Sequence, residues 1–211
     1  MWTERGLRKA LRLYVIPDRE IGAPLSLEEQ TRQVLESGAT AIQLRDKRMD
    51  GGEMLSVGKR MAALCARHNA LFIVNDRLDV ALFAGADGVH LGQSDLPVAE
   101  VRKLVPRTFV IGASAHTPEE AKRAEAEGAD YIGAGAVFNT GSKDDAKIIG
   151  LQGLGELAAA TRLPVVAIGG IALDNISEVM RSGVAGISVI SAAVRGDVKE
   201  RTGTLLKALT S

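Results

Sequence analysis

The sequence predicts an α/β chain folded as a single (β/α)8 barrel over residues 1–211, and three observations predict it. Short apolar runs alternate with amphipathic stretches along the whole chain, as parallel strands joined by helices do. A helix that ends in glycine and re-enters a strand recurs at Gly38, Gly85, Gly128 and Gly183, at spacings of 47, 43 and 55 residues. Each interval holds two strand–helix units, so the recurrence marks every second unit of eight. A length of 211 residues falls near the short end of the range for such a barrel and leaves no room for a second domain.

The first strand is expected at 11–16, behind a basic stretch carrying Arg5, Arg8, Lys9 and Arg12. That stretch lacks the long apolar core of a signal peptide and reads as the charged face of a first helix rather than an organelle-type presequence, because a strand begins at once at Leu11. Ser26 with Glu29 has the spacing of a capping box and opens the helix before the second run at 41–44. Runs three and four lie at 71–74 and 88–91, and Pro97 suits the first turn of the helix after them. Run five is at 109–111, after which Thr117, Pro118 and Glu120 form a second capping box. Runs six, seven and eight lie at 131–134, 165–168 and 186–190. The four recurring glycines supply left-handed helix ends. An open doubly wound sheet is the alternative architecture, but it normally carries a glycine-rich loop after its first strand. Here Pro17-Asp18-Arg19-Glu20 follows instead.

Composition narrows the function. Apolar residues make up 46% of the chain and charged residues 25%, an ordinary soluble balance with ample core material. The 26 basic and 26 acidic side chains cancel, and aromatics are few, so no global basic field or stacking platform for nucleic acid is expected. No apolar run approaches a membrane span. Cys65 is the only cysteine, which excludes an intrachain disulfide and a thiol-rich metal cluster and fits a cytoplasmic protein. The partners expected are small molecules, and the oligomeric state, a homo-oligomer included, stays open.

In a barrel of this kind functional side chains follow the C-terminal ends of strands. After run two, Gln43, Arg45 and Lys47 alternate to one side, either as a polyanion clamp or as solvated charges pairing with Asp46. After runs three and four come Asn75-Asp76 and Gln93-Ser94-Asp95. Asp76 and Asp95 either share a divalent cation, since Mg²⁺ takes one or two carboxylates plus phosphate oxygens, or serve as a helix cap and a turn. The loop after run six carries Thr140, Ser142 and Lys143, hydroxyls and a cation able to grip phosphate, or simply a polar surface loop. After runs seven and eight, Gly169-Gly170-Ile171 and Ile190-Ser191-Ala192 fall at the recurrent phosphate site of the architecture, unless Gly169 and Gly170 only permit a tight turn. No catalytic base stands out: His90 reads as a packed strand histidine, and His116 has no obvious partner.

The combination resembles the thiamine-phosphate synthase family over nearly the whole chain. The resemblance rests on Gln43-Leu44-Arg45-Asp46-Lys47, Val74-Asn75-Asp76, His90-Leu91-Gly92-Gln93-Ser94-Asp95, Ser114-Ala115-His116-Thr117, Gly135-Ala136-Val137-Phe138-Asn139-Thr140 and Ile168-Gly169-Gly170-Ile171, in the family's order. It implies a TIM barrel that joins a hydroxymethylpyrimidine pyrophosphate to a thiazole phosphate with Mg²⁺ and releases pyrophosphate. Gln43, Arg45, Lys47, Asn75 and Lys143 would contact the pyrimidine pyrophosphate, and Asp76 and Asp95 would bind Mg²⁺. Ser114 would lie near the pyrimidine. Thr140, Ser142, Gly170, Ile190 and Ser191 would hold the thiazole phosphate, with Arg45, Lys47, Lys143 and Ser114 as the catalytic set. The chain departs from the family at Asn139, where a proline is usual, and at Ser142, where a threonine is usual. Two rivals stand beside this reading: a thiazole tautomerase of the TenI-like branch, and a thiamine-phosphate-binding barrel without turnover. Both would leave the cationic clamp without a use.

Overall fold

The computed structural model describes residues 4–140 and 147–210. Eight strands, β1 (Leu13–Val15), β2 (Ala41–Leu44), β3 (Leu71–Asn75), β4 (Gly88–Leu91), β5 (Val110–Ala115), β6 (Tyr131–Ala134), β7 (Val165–Ile168) and β8 (Gly186–Val189), close into a barrel in sequence order. Every neighbouring pair is parallel, and β1 pairs with β8 to complete the ring. The closed (β/α)8 barrel is thus present. Four strands coincide with the expected runs. β5 differs most: it starts at Val110 and extends through Gly112-Ala113-Ser114-Ala115, small residues with little strand propensity of their own. Pairing to β4 on one side and β6 on the other supplies what propensity does not.

The helices on the described residues are α1 (Glu4–Ala10), α2 (Leu27–Glu36), α3 (Gly51–Arg67), α4 (Leu78–Ala84), α5 (Val98–Leu104), α6 (Pro118–Glu127), α7 (Gly150–Ala159), α8 (Ile176–Arg181), α9 (Ser191–Val194) and α10 (Val198–Thr210). Gly38, Gly85, Gly128 and Gly183 all have positive φ, so the recurring glycine does turn the chain out of each helix. Ser26 Oγ accepts the Glu29 N–H and Thr117 Oγ1 accepts the Glu120 N–H, half of each expected box. The reciprocal half at Glu120 is displaced by one residue, its carboxylate taking the His116 N–H at 2.7 Å. Pro97 stands as the cap before α5 rather than inside its first turn.

Two apolar layers hold the barrel. Outward-facing strand residues such as Ile42, Leu44, Phe72 and Val74 pack under helix residues that include Val57, Met61 and Cys65. Inside the ring, Tyr14, Ala41, Leu71, Ile73, Val110, Tyr131 and Val166 form a second cluster, and Leu7, Ala10 and Leu11 complete it from below. Each such aliphatic side chain contributes roughly 1.5–3 kcal/mol when fully buried. α1 therefore closes the barrel at the N-terminal ends of the strands, which leaves the opposite end as the open mouth.

Candidate active site at the barrel mouth

The mouth holds a cavity of about 440 Å³ lined by residues from every strand end, among them Gln43, Arg45, Asn75, Ser114, Thr140, Gly170, Ile190 and Ser191. The structure brings these eight together. Ser142 and Lys143 lie outside the described residues. Asp76 and Asp95 stand at the rim, on an adjoining groove that they share with Leu82 and Leu96.

On the side of β2 the charges are arranged for an anion. Asp46 does not pair with Arg45 or Lys47: its carboxylate lies 3.2 Å from Arg19 Nε, and its other oxygen accepts the N–H groups of Arg48 at 2.8 Å and Met49 at 3.0 Å. Among the described residues no ion pair engages Arg45 or Lys47. Both are nevertheless near enough to Asp76 to lower its pKa against the forces that raise it.

Those forces identify a carboxylate pair. Burial, a hydrogen bond with Asp95 and the Asp95 charge together raise the Asp76 pKa from 3.8 to about 6. Asp76 does not cap α4, whose first turn has no side-chain cap. It adopts φ of 60°, a left-handed conformation that aspartate and asparagine tolerate, and this turns it toward Asp95. Asp95 does serve its own turn, accepting the Gly92 N–H at 2.8 Å through one oxygen. Two close carboxylates are the donor set that a hard divalent cation neutralises. No group of three or more histidine, cysteine, aspartate or glutamate side chains is gathered among the described residues. Further oxygens would come from substrate phosphate, so the residues present fit Mg²⁺.

The opposite side of the mouth is built from backbone. Among the described residues, the N–H groups of Gly170, Ile171, Ser191 and Ala192 donate to no protein acceptor. Gly170 has φ of 65°, and a Cβ there would stand 2.6 Å from the Asn139 carbonyl oxygen, so only glycine fits. Asn175 fastens the same turn from within: its Oδ1 accepts the Ala172 N–H and its Nδ2 donates to the Gly170 carbonyl, each at 3.0 Å. Arg195 and Arg201 also line this end, and Arg201 Nε donates to the Ala192 carbonyl at 3.0 Å.

The cavity floor was the part hidden in the sequence. Tyr14, His90, Tyr131 and Ser188 face it, although strand periodicity alone reads them as core. His90 contacts the Tyr131 hydroxyl and Ser114 Oγ, both at 3.0 Å, and is part of the site rather than simply packed. Ser188 Oγ is buried with no hydrogen-bond partner among the described residues. His116 does have a partner, Glu120, at 3.2 Å.

A barrel whose mouth sets two cations, without an ion pair among the described residues, and a carboxylate pair against a nest of backbone donors is one built for phosphorylated ligands. The family model for thiamine monophosphate synthase matches residues 13–193. The thiamine-phosphate synthases of Coprothermobacter proteolyticus and Pyrococcus furiosus are 51% and 49% identical to the chain, over 92% and 95% of it and 92% and 96% of their own lengths. The solved structure of thiamine phosphate pyrophosphorylase from Pyrococcus furiosus superimposes with a TM-score of 0.90 at 46% identity, covering 97% of this chain and 98% of that one. The chain belongs to the thiamine monophosphate synthase family.

Proposed function

We propose that the chain is a transferase that joins 4-amino-2-methyl-5-hydroxymethylpyrimidine pyrophosphate to 4-methyl-5-hydroxyethylthiazole phosphate, forming thiamine phosphate and pyrophosphate with Mg²⁺. The observation that carries this reading is the two-sided mouth: Arg45 and Lys47, with no ion pair among the described residues, beside Asp76 and Asp95, across from the N–H groups around Gly170 and Ser191 that find no acceptor among those residues. Two anionic substrates need two separate anion sites, and the tautomerase alternative needs only one.

In the reaction the bond from the pyrimidine methylene to the pyrophosphate oxygen breaks, and its electron pair leaves with pyrophosphate. The ring amine stabilises the resulting cation, and the thiazole nitrogen forms the new bond with its lone pair. No proton is lost, so the reaction asks for no general base. Arg45, Lys47 and Lys143 stabilise charge as it develops on the leaving group. Asp76 and Asp95 would hold Mg²⁺, which when bound would add charge neutralisation there. Gln43, Asn75 and Ser114 orient the pyrimidine. Thr140, Ser142, Gly170, Ile190 and Ser191 anchor the thiazole phosphate, which fixes the nucleophile in line and converts an encounter into an intramolecular step. No helix on the described residues is long and apolar enough to cross a membrane. The single cysteine, Cys65, supports a cytoplasmic location.

Pyrophosphate release from the purified protein, with each substrate alone or both together and with Mg²⁺ or EDTA, tests the proposal. Release that needs both substrates and Mg²⁺, matched by thiamine phosphate, is the expected result. Folded protein that releases none would overturn it and favour the tautomerase or binding readings.

A further inference from the structure

Five side chains cross the cavity floor as one hydrogen-bonded row, running from β2 through β1, β6 and β4 to β5. Gln43 Nε2 donates to Tyr14 Oη at 2.7 Å, and Tyr14 Oη meets Tyr131 Oη at 3.1 Å. Tyr131 Oη meets His90 Nδ1, and His90 Nε2 meets Ser114 Oγ, each at 3.0 Å. The rings fit because their neighbours are small. A Cβ on Gly112 would collide with the Tyr131 ring, and one on Gly133 would stand 2.8 Å from His90 Cε1.

Counting protons gives the row a direction. Burial raises the pKa of both Tyr14 and Tyr131 well above the ordinary phenol value, so each hydroxyl keeps its single proton. Either hydroxyl can donate across the Tyr14–Tyr131 contact, and with Gln43 Nε2 donating into Tyr14 the arrangement that gives the Tyr14 proton an acceptor within the row sends it to Tyr131. Tyr131 therefore sends its proton on to His90 Nδ1. A histidine that accepts at Nδ1 carries its proton on Nε2, and donates it to Ser114 Oγ. Ser114 is left with its own hydroxyl proton to give, and Gln43 with its Oε1 lone pairs.

We infer that this row fixes the hydrogen-bond polarity of the pyrimidine site, with Tyr131 and His90 as positioning residues that make Ser114 a donor and Gln43 Oε1 an acceptor toward the ring. The inference rests on the synthase reading, because it is an aminopyrimidine that matches the pattern. Such a ring offers an exocyclic N–H to an acceptor and a ring-nitrogen lone pair to a donor. The oxo analogue exchanges them, with a carbonyl oxygen in place of the amine and an N–H on the ring. A free serine hydroxyl would rotate to suit either ring. One that accepts from His90 Nε2–H keeps its single proton for the ring nitrogen, whereas the reversed row would spend that proton on His90 and leave Ser114 only lone pairs to offer. Discrimination is therefore set by residues that lie behind the two groups touching the substrate.

The test compares kcat/KM for the amino and oxo pyrimidine pyrophosphates, at saturating thiazole phosphate, in the wild-type enzyme and in Tyr131→Phe. ¹⁵N-histidine NMR of both proteins reads the His90 tautomer directly. The wild type is expected to hold its proton on Nε2, and Tyr131→Phe to mix the two tautomers and lose the amino-over-oxo preference by about tenfold or more, since leaving a polar group mismatched is what generates such selectivity. A structural role alone would lower both substrates by one factor and leave their ratio unchanged; that result, or an Nδ1–H histidine in the wild type, overturns the inference. Should Tyr131→Phe fail to fold, Tyr14→Phe removes the upstream donor to Tyr131 and is judged by the same ratio and the same tautomer. Wild-type enzyme inactive on the amino substrate sinks the synthase reading and this ligand with it, whereas turnover with an unchanged ratio sinks the polarity row alone.

Discussion

Asp46 gives its carboxylate to Arg19, 3.2 Å away, rather than to either of the cations that flank it in the chain. Arg45 and Lys47 are thereby held at the rim with no internal ion pair among the described residues. Removing such a group costs the fold little, because nothing buried is left without a partner. Removing it from a site where negative charge develops costs a great deal. Arg45→Ala is expected to lower kcat/KM for the pyrimidine pyrophosphate by roughly 100- to 1,000-fold, the range for losing one donor to transition-state charge. Its Tm should stay within about 2 °C of wild type. Steady-state kinetics beside a thermal melt check both halves, and parallel losses of activity and Tm would mean that Arg45 supports the barrel instead.

The barrel was legible because its signals are local and repeat: apolar runs, capping residues and a glycine at the end of every second helix. Ala41–Leu44, Gly88–Leu91, Tyr131–Ala134 and Val165–Ile168 were found at their full extent for this reason. The rim residues were legible too, since a polar residue after a strand end stands out against the apolar run before it. The floor was not. Tyr14 and Tyr131 are 2% and 0% exposed and sit among strand residues where a large side chain normally means core. What makes them a site is their contact with each other across 117 residues of chain, and no window of sequence contains that. One signal was available in retrospect. Gly112 and Gly133 lie in strands, where glycine weakens pairing and marks a close approach by something bulky. The same limit applies to Asp46, whose partner Arg19 comes from the loop of a different strand.

The carboxylate pair at the rim makes stability depend on pH in a direction opposite to that of most aspartates. The Asp76 pKa in the folded chain is about 6, above its ordinary 3.8, because of burial and then Asp95. The folded state therefore binds this proton more tightly than the unfolded one, and the stability it confers is full at low pH and lost as pH rises through about 6. Asp76→Asn removes that loss and keeps a side chain suited to a φ of 60°. Without Mg²⁺ at pH 7.5 the variant should be more stable by about 1 kcal/mol, the full shift being reduced because half of the group faces solvent. At pH 4 the two proteins should melt together. Mg²⁺ should raise the Tm of the wild type at pH 7.5 and leave the variant unmoved. Differential scanning calorimetry at the two pH values, with and without Mg²⁺, reads all three expectations, and a wild-type advantage at pH 7.5 without metal would show that the two carboxyls do not oppose each other.

Asn175 offers a cleaner separation between the two anion sites. It lies at the start of α8, and its amide spans the Gly170 carbonyl and the Ala172 N–H. Those two bonds hold the turn whose Gly170 and Ile171 line the cavity, so the residue shapes the proposed thiazole phosphate site without lining the cavity itself. Asn175→Ala leaves both backbone groups to find other partners, at a cost of about 1–3 kcal/mol, and the Tm should fall by several degrees. A loosened turn presents its donors less well, and KM for the thiazole phosphate should rise by about tenfold, or roughly 1.4 kcal/mol of lost binding. KM for the pyrimidine pyrophosphate should stay within about twofold, because its site lies across the mouth and distant sites act independently. Asn175→Asp keeps the acceptor for Ala172 but loses the donor to Gly170 and adds a negative charge near the phosphate site. It should recover part of the Tm while worsening KM for the thiazole phosphate beyond the alanine variant. Equal rises in both KM values would instead assign Asn175 to the stability of the whole mouth.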